Sequence, residues 1–351
     1  MPTPPIDLTM TLDATAIANG WDGTFDTNRY DGRMPYRRCG KSGLLLPVIS
    51  LGGYETFGGY RAAGEARTCL LRAFDLGITH FDFANNYGTP PGNSEIVCGN
   101  ILKELPRDEL IVSSKAGYRM WPGPYGDGLS KKYLTASCDQ SLRRMKLEYF
   151  DIFYLHRPDP ETPLEESLGA LDLLIRQGKV LYGGVSNFNG ANFAEAVRIV
   201  ERERFHRITI HQPAYNLINR GLENDILPHL QRAGTGAIAF VPLAQGLLTD
   251  KYLSGAIPTD SRGALSWGED STRRRLTPER LKVLNRLNAL AQARGQSLAQ
   301  MALAWILRLP GITSALIGVS RLTQLEENVA ALKNLEFSAE ELATIDELTR
   351  G

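Results

Sequence analysis

The stretch EARTCLLRAFDLGITHFDF (residues 65–83) reads as one helix, one turn and one strand. Over Glu65–Leu76 the apolar residues recur at steps of three and four, the spacing of a single helix face. Gly77 stands where a helix ends in a left-handed residue, Asp75-Leu-Gly-Ile-Thr makes the turn, and Thr79–Phe83 has the length and apolar content of a buried strand. Outward from this unit the same alternation recurs. Strands are predicted near Leu46–Leu51, Thr79–Phe83, Leu110–Lys115, Ile152–His156, Val180–Val185, Thr209–Gln212, Ala237–Pro242 and Ser314–Ile317. Helical patterns fall at Glu65–Leu76, Ser94–Leu105, Tyr133–Met145, Leu164–Gln177, Ala191–Glu201, Asn224–Gln231, Pro278–Ala293 and Leu322–Leu332. In the third of these Leu134, Cys138, Leu142 and Met145 share one face, and Gly178, Gly234 and Gly295 follow helices as Gly77 does.

Eight such units predict an α/β fold, a single-domain (β/α)8 TIM barrel. The competing architecture, a doubly wound open sheet, usually has fewer strands and a nucleotide loop after its first strand. Residues 1–33, rich in Pro, Asp, Asn, Thr and Gly, read as a flexible N-terminal extension, and residues 34–351 as the barrel. Two long loops interrupt the alternation: Ala116–Ser130 after the third strand and Gln245–Thr277 after the seventh. Loops that follow strands form the catalytic face of such a barrel, so substrate and cofactor contacts are expected there.

Among 351 residues, Lys+Arg and Asp+Glu are both 39, which removes the basic surface that a nucleic-acid partner needs. Cys39, Cys69, Cys98 and Cys138 form no C-x-x-C pair and read as reduced thiols. No secretory leader and no apolar run of about 18 residues is present, so no membrane partner is expected and the cytoplasm is the expected location.

The chemistry gathers at strand ends: Asp82, with Tyr87 just beyond it, then Lys115 and His156. A lysine closing the apolar strand Leu110-Ile-Val-Ser-Ser-Lys115 is costly unless paired, and Asp82 is the partner across neighbouring parallel strands. The ammonium is expected to lower the pKa of a nearby phenol, which makes Tyr87 a candidate general acid toward a carbonyl oxygen, with His156 orienting that oxygen. Proton donation of this kind contributes about 10²- to 10⁴-fold. A structural Asp–Lys pair with Tyr and His on a rim fits the same spacing. A metal-dependent hydrolase could instead draw on His80, Asp82, Lys115, His156 and His211, since His-x-Asp puts two side chains on one strand face; His80 reads more simply as a barrel-layer histidine.

Asp82, Tyr87, Lys115 and His156, in that order and at those strand ends, resemble the catalytic tetrad of the aldo-keto reductase superfamily. The strings Gly-Ile-Thr-His-Phe-Asp-Phe-Ala-Asn-Asn-Tyr-Gly (77–88), Asp-Ile-Phe-Tyr-Leu-His-Arg (151–157) and Gly-Val-Ser-Asn-Phe (184–188) carry the resemblance, which covers about residues 36–348. Tyr36-Arg-Arg-Cys-Gly-Lys-Ser-Gly, His211-Gln-Pro-Ala-Tyr-Asn-Leu and Pro242-Leu-Ala-Gln-Gly-Leu-Leu-Thr are similar to the bacterial L-glyceraldehyde 3-phosphate reductases within it. The chain departs from that group at Tyr54-Glu55, where the group carries Trp-His, and at Asn187. Potassium channel β-subunits share the fold, the tetrad and the motif Ser320 to Asn328, so an NADPH-binding interaction protein is the alternative reading.

The resemblance implies NADPH (NADP) lying across the barrel mouth without a Rossmann loop, a small-molecule aldehyde as substrate, and a possible homo-oligomer. It places Ser186, Asn187 and Gln212 at the carboxamide and Phe240 against the nicotinamide. Leu243, Gln245, Gly246 and Lys251 begin the loop that folds over the pyrophosphate. Thr323-Gln-Leu-Glu326 reads as a capping box opening the last barrel helix, so Gly318, Ser320 and Arg321 before it offer an anion site. Arg321 suits a 2′-phosphate, favouring NADPH without excluding NADH; Gln324, Glu327 and Asn328, one turn on, are expected at the adenosine. The substrate wall is expected to include Tyr54, Tyr118 and Trp121, with Arg119 and Arg157 as cations nearby.

Overall fold

The structure, a computed structural model, describes residues 28–350 apart from Asp260, Ser266, Trp267 and the side chain of Arg262. Of the predicted flexible extension, residues 1–27 lie outside the described residues. At its described end Arg29 is buried, 2.6 Å from Glu109, with its guanidinium over the Phe74 ring, so this part docks on the barrel.

Among the described residues ten strands form two sheets. β1 (Tyr36–Arg38) and β2 (Leu45–Pro47) make an antiparallel hairpin. β3 (Ile49–Gly52), β4 (His80–Asp82), β5 (Ile111–Ala116), β6 (Phe150–Leu155), β7 (Val180–Ser186), β8 (Ile208–Gln212), β9 (Gly236–Ala239) and β10 (Ile312–Ile317) close into a parallel barrel in chain order, β10 returning to β3. With helices between successive strands this is the TIM barrel that the alternation predicts. The predicted first strand, Leu46–Leu51, is two elements. Pro47 ends the hairpin opposite Tyr36, and the chain turns at Val48 into the barrel; one apolar run covers both because both are buried.

The hairpin plugs the N-terminal end. Cys39, Leu44 and Leu46 pack with Ile152, Tyr154, Ile210, Ile238 and Leu316 as one apolar cluster inside the barrel. Leu134, Cys138, Leu142 and Met145 are buried together on the helix Lys131–Met145. Gly77, Gly178, Gly234 and Gly295 all take left-handed φ at helix ends, as expected. All four cysteines are free and buried. Among the described residues no helix is long and apolar enough to cross a membrane.

Two further features differ from the sequence reading. The helix preceding β10 is Leu298–Leu307, buried along almost its whole length; being apolar all round it lacks the polar face that marks a surface helix. The capping box expected at Thr323–Glu326 is absent: the helix Leu322–Val329 starts from Arg321, which leaves Thr323 inside its first turn. Gln324 reaches back instead, its Oε1 accepting from Ser320 N at 2.9 Å and Ser320 Oγ at 3.1 Å.

Candidate active site

Asp82, Lys115 and His156 come together at the C-terminal ends of β4, β5 and β6 because register aligns those ends. Pairing between β4 and β5 continues past Asp82, with Phe83 N bonded to Ser113 O and Asn85 N to Lys115 O. That extension brings the turn holding Tyr87 back over the barrel. Lys115 is fully buried and donates to Asp82 Oδ2 and, at 2.7 Å, to Phe83 O. Its Nζ lies 5.1 Å from the centre of the Tyr87 ring. Tyr87 is held edge-on by Tyr54 at 5.1 Å and by His156 at 5.7 Å, while His156 meets Tyr118 at 4.6 Å. The four tetrad positions therefore form one cluster, with Tyr87 and His156 on a cavity of about 530 Å³ and Lys115 behind them.

Electrostatics follow from burial. Burial, then Asp82, holds the Tyr87 phenol well above its ordinary value. The expectation that Lys115 would lower it is overturned, because desolvation of a phenolate and the nearby carboxylate outweigh an ammonium already engaged by Asp82. Tyr87 is thus protonated at neutral pH, the form a proton donor needs. Burial, then the Lys115 and Arg157 charges, pushes His156 well below the ordinary histidine value, so its ring is neutral. Burial also lowers Lys115, with Asp82 opposing.

Of the residues expected at a cofactor, Asn187, Gln212, Phe240, Leu243, Gln245, Gly246, Lys251, Gly318, Ser320, Gln324, Glu327 and Asn328 line the cavity. Ser186 and Arg321 do not. Ser186 Oγ donates to Gln212 O at 2.9 Å and accepts from Asn187 Nδ2 at 3.2 Å, so it supports its neighbours. Arg321 borders an adjoining small cavity with Gly64, Glu65, Thr68 and Cys69. Asn187 Nδ2 also donates to His156 O and Gln212 Nε2 to Asp82 Oδ1, which leaves the two amide oxygens as acceptors for an amide N–H. A Cβ added to Gly318 would meet nothing within 4 Å, so the backbone there is open to a ligand.

Of the expected substrate residues, Tyr54 and Tyr118 line the cavity, and Trp121, Arg119 and Arg157 do not. Trp121 packs on Tyr133. Arg157 is held by Asp127 at 2.8 Å and by Gly117 O at 2.8 Å, with its guanidinium carbon 4.5 Å from the centre of the Tyr118 ring. Thr56, Tyr60, Arg61 and Asn86 stand on the wall unforeseen. Their position in loops after the first and second barrel strands was the available signal. Among the described residues no three His, Cys, Asp or Glu side chains converge on a metal position. His80 instead lies between Ser50 and Ser113, and His211 donates from Nε2 to Phe188 O at 3.1 Å.

The backbone marks the same region. Seven non-glycine residues among those described have positive φ. Lys146 and Arg204 cap helices. Of the other five, Tyr54, Asn187, Val241 and Gln245 line the cavity, and Ala244 lies between two residues that do; such strain costs about 1–3 kcal/mol each and collects at functional sites.

Comparison with known proteins agrees with this geometry. The Aldo/keto reductase family model matches residues 48–350. The chain is 54% identical over 322 residues to an L-glyceraldehyde 3-phosphate reductase of Escherichia coli (strain K12), covering 90% of this chain and 92% of that protein. It is 35% identical over 304 residues to a probable voltage-gated potassium channel subunit beta of Arabidopsis thaliana, covering 85% and 91% respectively. A putative voltage-gated potassium channel subunit beta of Schizosaccharomyces pombe is 37% identical over 329 residues, at 90% and 93%.

Proposed function

Because this chain belongs to the aldo/keto reductase family, and is therefore a nicotinamide-dependent oxidoreductase, we propose that it reduces L-glyceraldehyde 3-phosphate or a related small aldehyde, such as methylglyoxal, with NADPH. The observation that carries the reading is Tyr87 and His156 side by side on the cavity, with the buried Asp82–Lys115 pair behind the Tyr87 ring.

A bound dihydronicotinamide supplies the hydride. Tyr87 donates its proton to the carbonyl oxygen as that oxygen gains charge. Lys115, behind the ring, offsets the negative charge that Tyr87 then carries, and Asp82 holds the ammonium in place. His156 Nδ1 is buried without a partner among the described residues, so Nε2 is the nitrogen that orients the carbonyl oxygen. Asn187 and Gln212 would accept the carboxamide N–H groups, Phe240 would cover the ring and exclude water, and Arg321 with Ser320 would receive the 2′-phosphate that separates NADPH from NADH.

Among the described residues Arg61 and Lys251 are the cationic side chains on the cavity wall. Lys251, on the loop after β9, would hold the cofactor diphosphate. Arg61, over the Tyr60 ring and in a 3.9 Å ion pair with Glu65, is the cation assigned to the substrate phosphate. The name of the Escherichia coli relative, an L-glyceraldehyde 3-phosphate reductase, supports a phosphorylated aldehyde.

The test is consumption of NADPH and NADH, in parallel, with both hands of glyceraldehyde 3-phosphate, glyceraldehyde, methylglyoxal and 4-nitrobenzaldehyde. Preference for the L-triose phosphate with NADPH is the expected result. NADPH binding with no turnover of any aldehyde would contradict the reading and favour a binding role like that of the channel subunits.

A further inference from the structure

A chain of buried polar side chains runs round the barrel beneath the Asp82–Lys115 pair, and nothing in the proposed reaction uses it. Ser314 on β10, Ser50 on β3, His80 on β4 and Ser113 on β5 sit on four consecutive strands, each fully buried. Ser314 Oγ is 2.7 Å from Ser50 Oγ, and Ser50 Oγ is 2.9 Å from His80 Nδ1. His80 Nε2 is 3.0 Å from Ser113 Oγ, which is 2.6 Å from Asp82 Oδ1. His80 precedes Asp82 by two residues, so both project into the barrel.

The proton positions in this chain are fixed by elimination. Asp82, paired with an ammonium, only accepts, so the single Ser113 hydroxyl proton points to it. Ser113 Oγ must then accept from His80 Nε2–H. Burial lowers His80 to about 4, so near neutrality its ring carries one proton, and that proton is on Nε2. Nδ1 is left as an acceptor for the Ser50 hydroxyl, whose oxygen accepts in turn from Ser314. Each donor polarises the next, and all of them point toward the Asp82 carboxylate.

We propose that His80, fixed as its Nε2–H tautomer, is a positioning residue for the reduction, holding Asp82 through Ser113 in the orientation that keeps Lys115 beneath Tyr87. The inference rests on the reductase reading for its consequence in turnover, but not for its proton arrangement. Misplacing Lys115 displaces charge under the proton donor, and errors on the scale of 1 Å can cost about 10²-fold in rate.

Three variants test it. His80→Phe keeps the ring volume without nitrogen, Ser113→Ala removes the donor to Asp82, and His80→Gln restores an N–H near the Nε2 position. The first two are expected to lower kcat by at least about tenfold while the aldehyde KM and the NADPH dissociation constant stay within about twofold, and His80→Gln to recover much of the loss. Unchanged kcat in His80→Phe, or kcat, KM and cofactor affinity all worsening together with no rescue by His80→Gln, would overturn the proposal. Long-range proton–nitrogen correlation spectra of histidine-labelled wild-type protein near neutral pH give a readout independent of variant folding and of turnover. An Nε2–H tautomer for His80 is expected; an Nδ1–H or doubly protonated ring overturns the proposal. If wild type reduces no aldehyde, the reductase reading fails, and the spectra still decide the tautomer.

Discussion

The loop after β5 turns its side chains in on itself, while the segment after β9 lays its own along the cavity. In the first, Arg157 from the end of β6 grips Asp127, Trp121 packs on Tyr133, and Met120 N bonds to Gly126 O. Only Tyr118 reaches the cavity. In the second, Phe240, Leu243, Gln245, Gly246 and Lys251 all line it, on a backbone with φ of 50° at Val241, 49° at Ala244 and 58° at Gln245. Length and location at the catalytic face are shared by both loops. What separates them is that one satisfies its polar groups internally and relaxes, whereas the other keeps a strained backbone to present side chains outward.

The largest effect should come from the floor beneath both loops. Lys115→Met leaves the buried Asp82 carboxylate without its ion-pair partner, so it should lower kcat by about 10²-fold or more and destabilise the fold by about 3–5 kcal/mol; steady-state kinetics and urea unfolding measure the two. Next, Arg61→Ala should raise the KM for a phosphorylated aldehyde about tenfold, with unphosphorylated glyceraldehyde little changed, from loss of a charge-assisted hydrogen bond. Arg157→Ala, which removes the cation that ties down the self-contained loop, should change neither KM. Equal effects of the two would erase the contrast between the regions. Arg321→Ala should weaken NADPH about tenfold and NADH hardly at all, measured by nicotinamide fluorescence titration.

A smaller but sharper expectation concerns pH. A proton donor works while protonated, and Tyr87 sits above the ordinary phenol value of 10.0. Neutral His156 titrates well below 6.5. Reduction measured as kcat/KM should therefore be level between these values and fall only above the upper one. A fall centred near neutrality would show that another group supplies the proton.

The barrel and its four catalytic-face positions were legible because each rests on local pattern: helix faces, left-handed glycines, and an ionisable residue closing an apolar strand. Arg157 lies near the cavity, over Tyr118, without lining it; the sequence does not show this because its partner Asp127 is distant along the chain, and charge alone does not say whether a cation is already engaged. Arg61, Tyr60 and Asn86 lie in short loops with no periodicity to flag them. The helix Leu298–Leu307 escaped because burial on every side erases amphipathicity. The phenol was expected to titrate low because proximity to Lys115 can be read from strand ends, whereas the depth of burial that reverses the sign cannot.

The most direct test of Tyr87 as proton donor pairs one variant with two readouts. Tyr87→Phe and wild type are compared for NADPH binding by fluorescence and for NADPH consumption with L-glyceraldehyde 3-phosphate. The account predicts unchanged binding and a loss of about 10²- to 10⁴-fold in turnover. Turnover within a few fold of wild type, on matched binding, would contradict it.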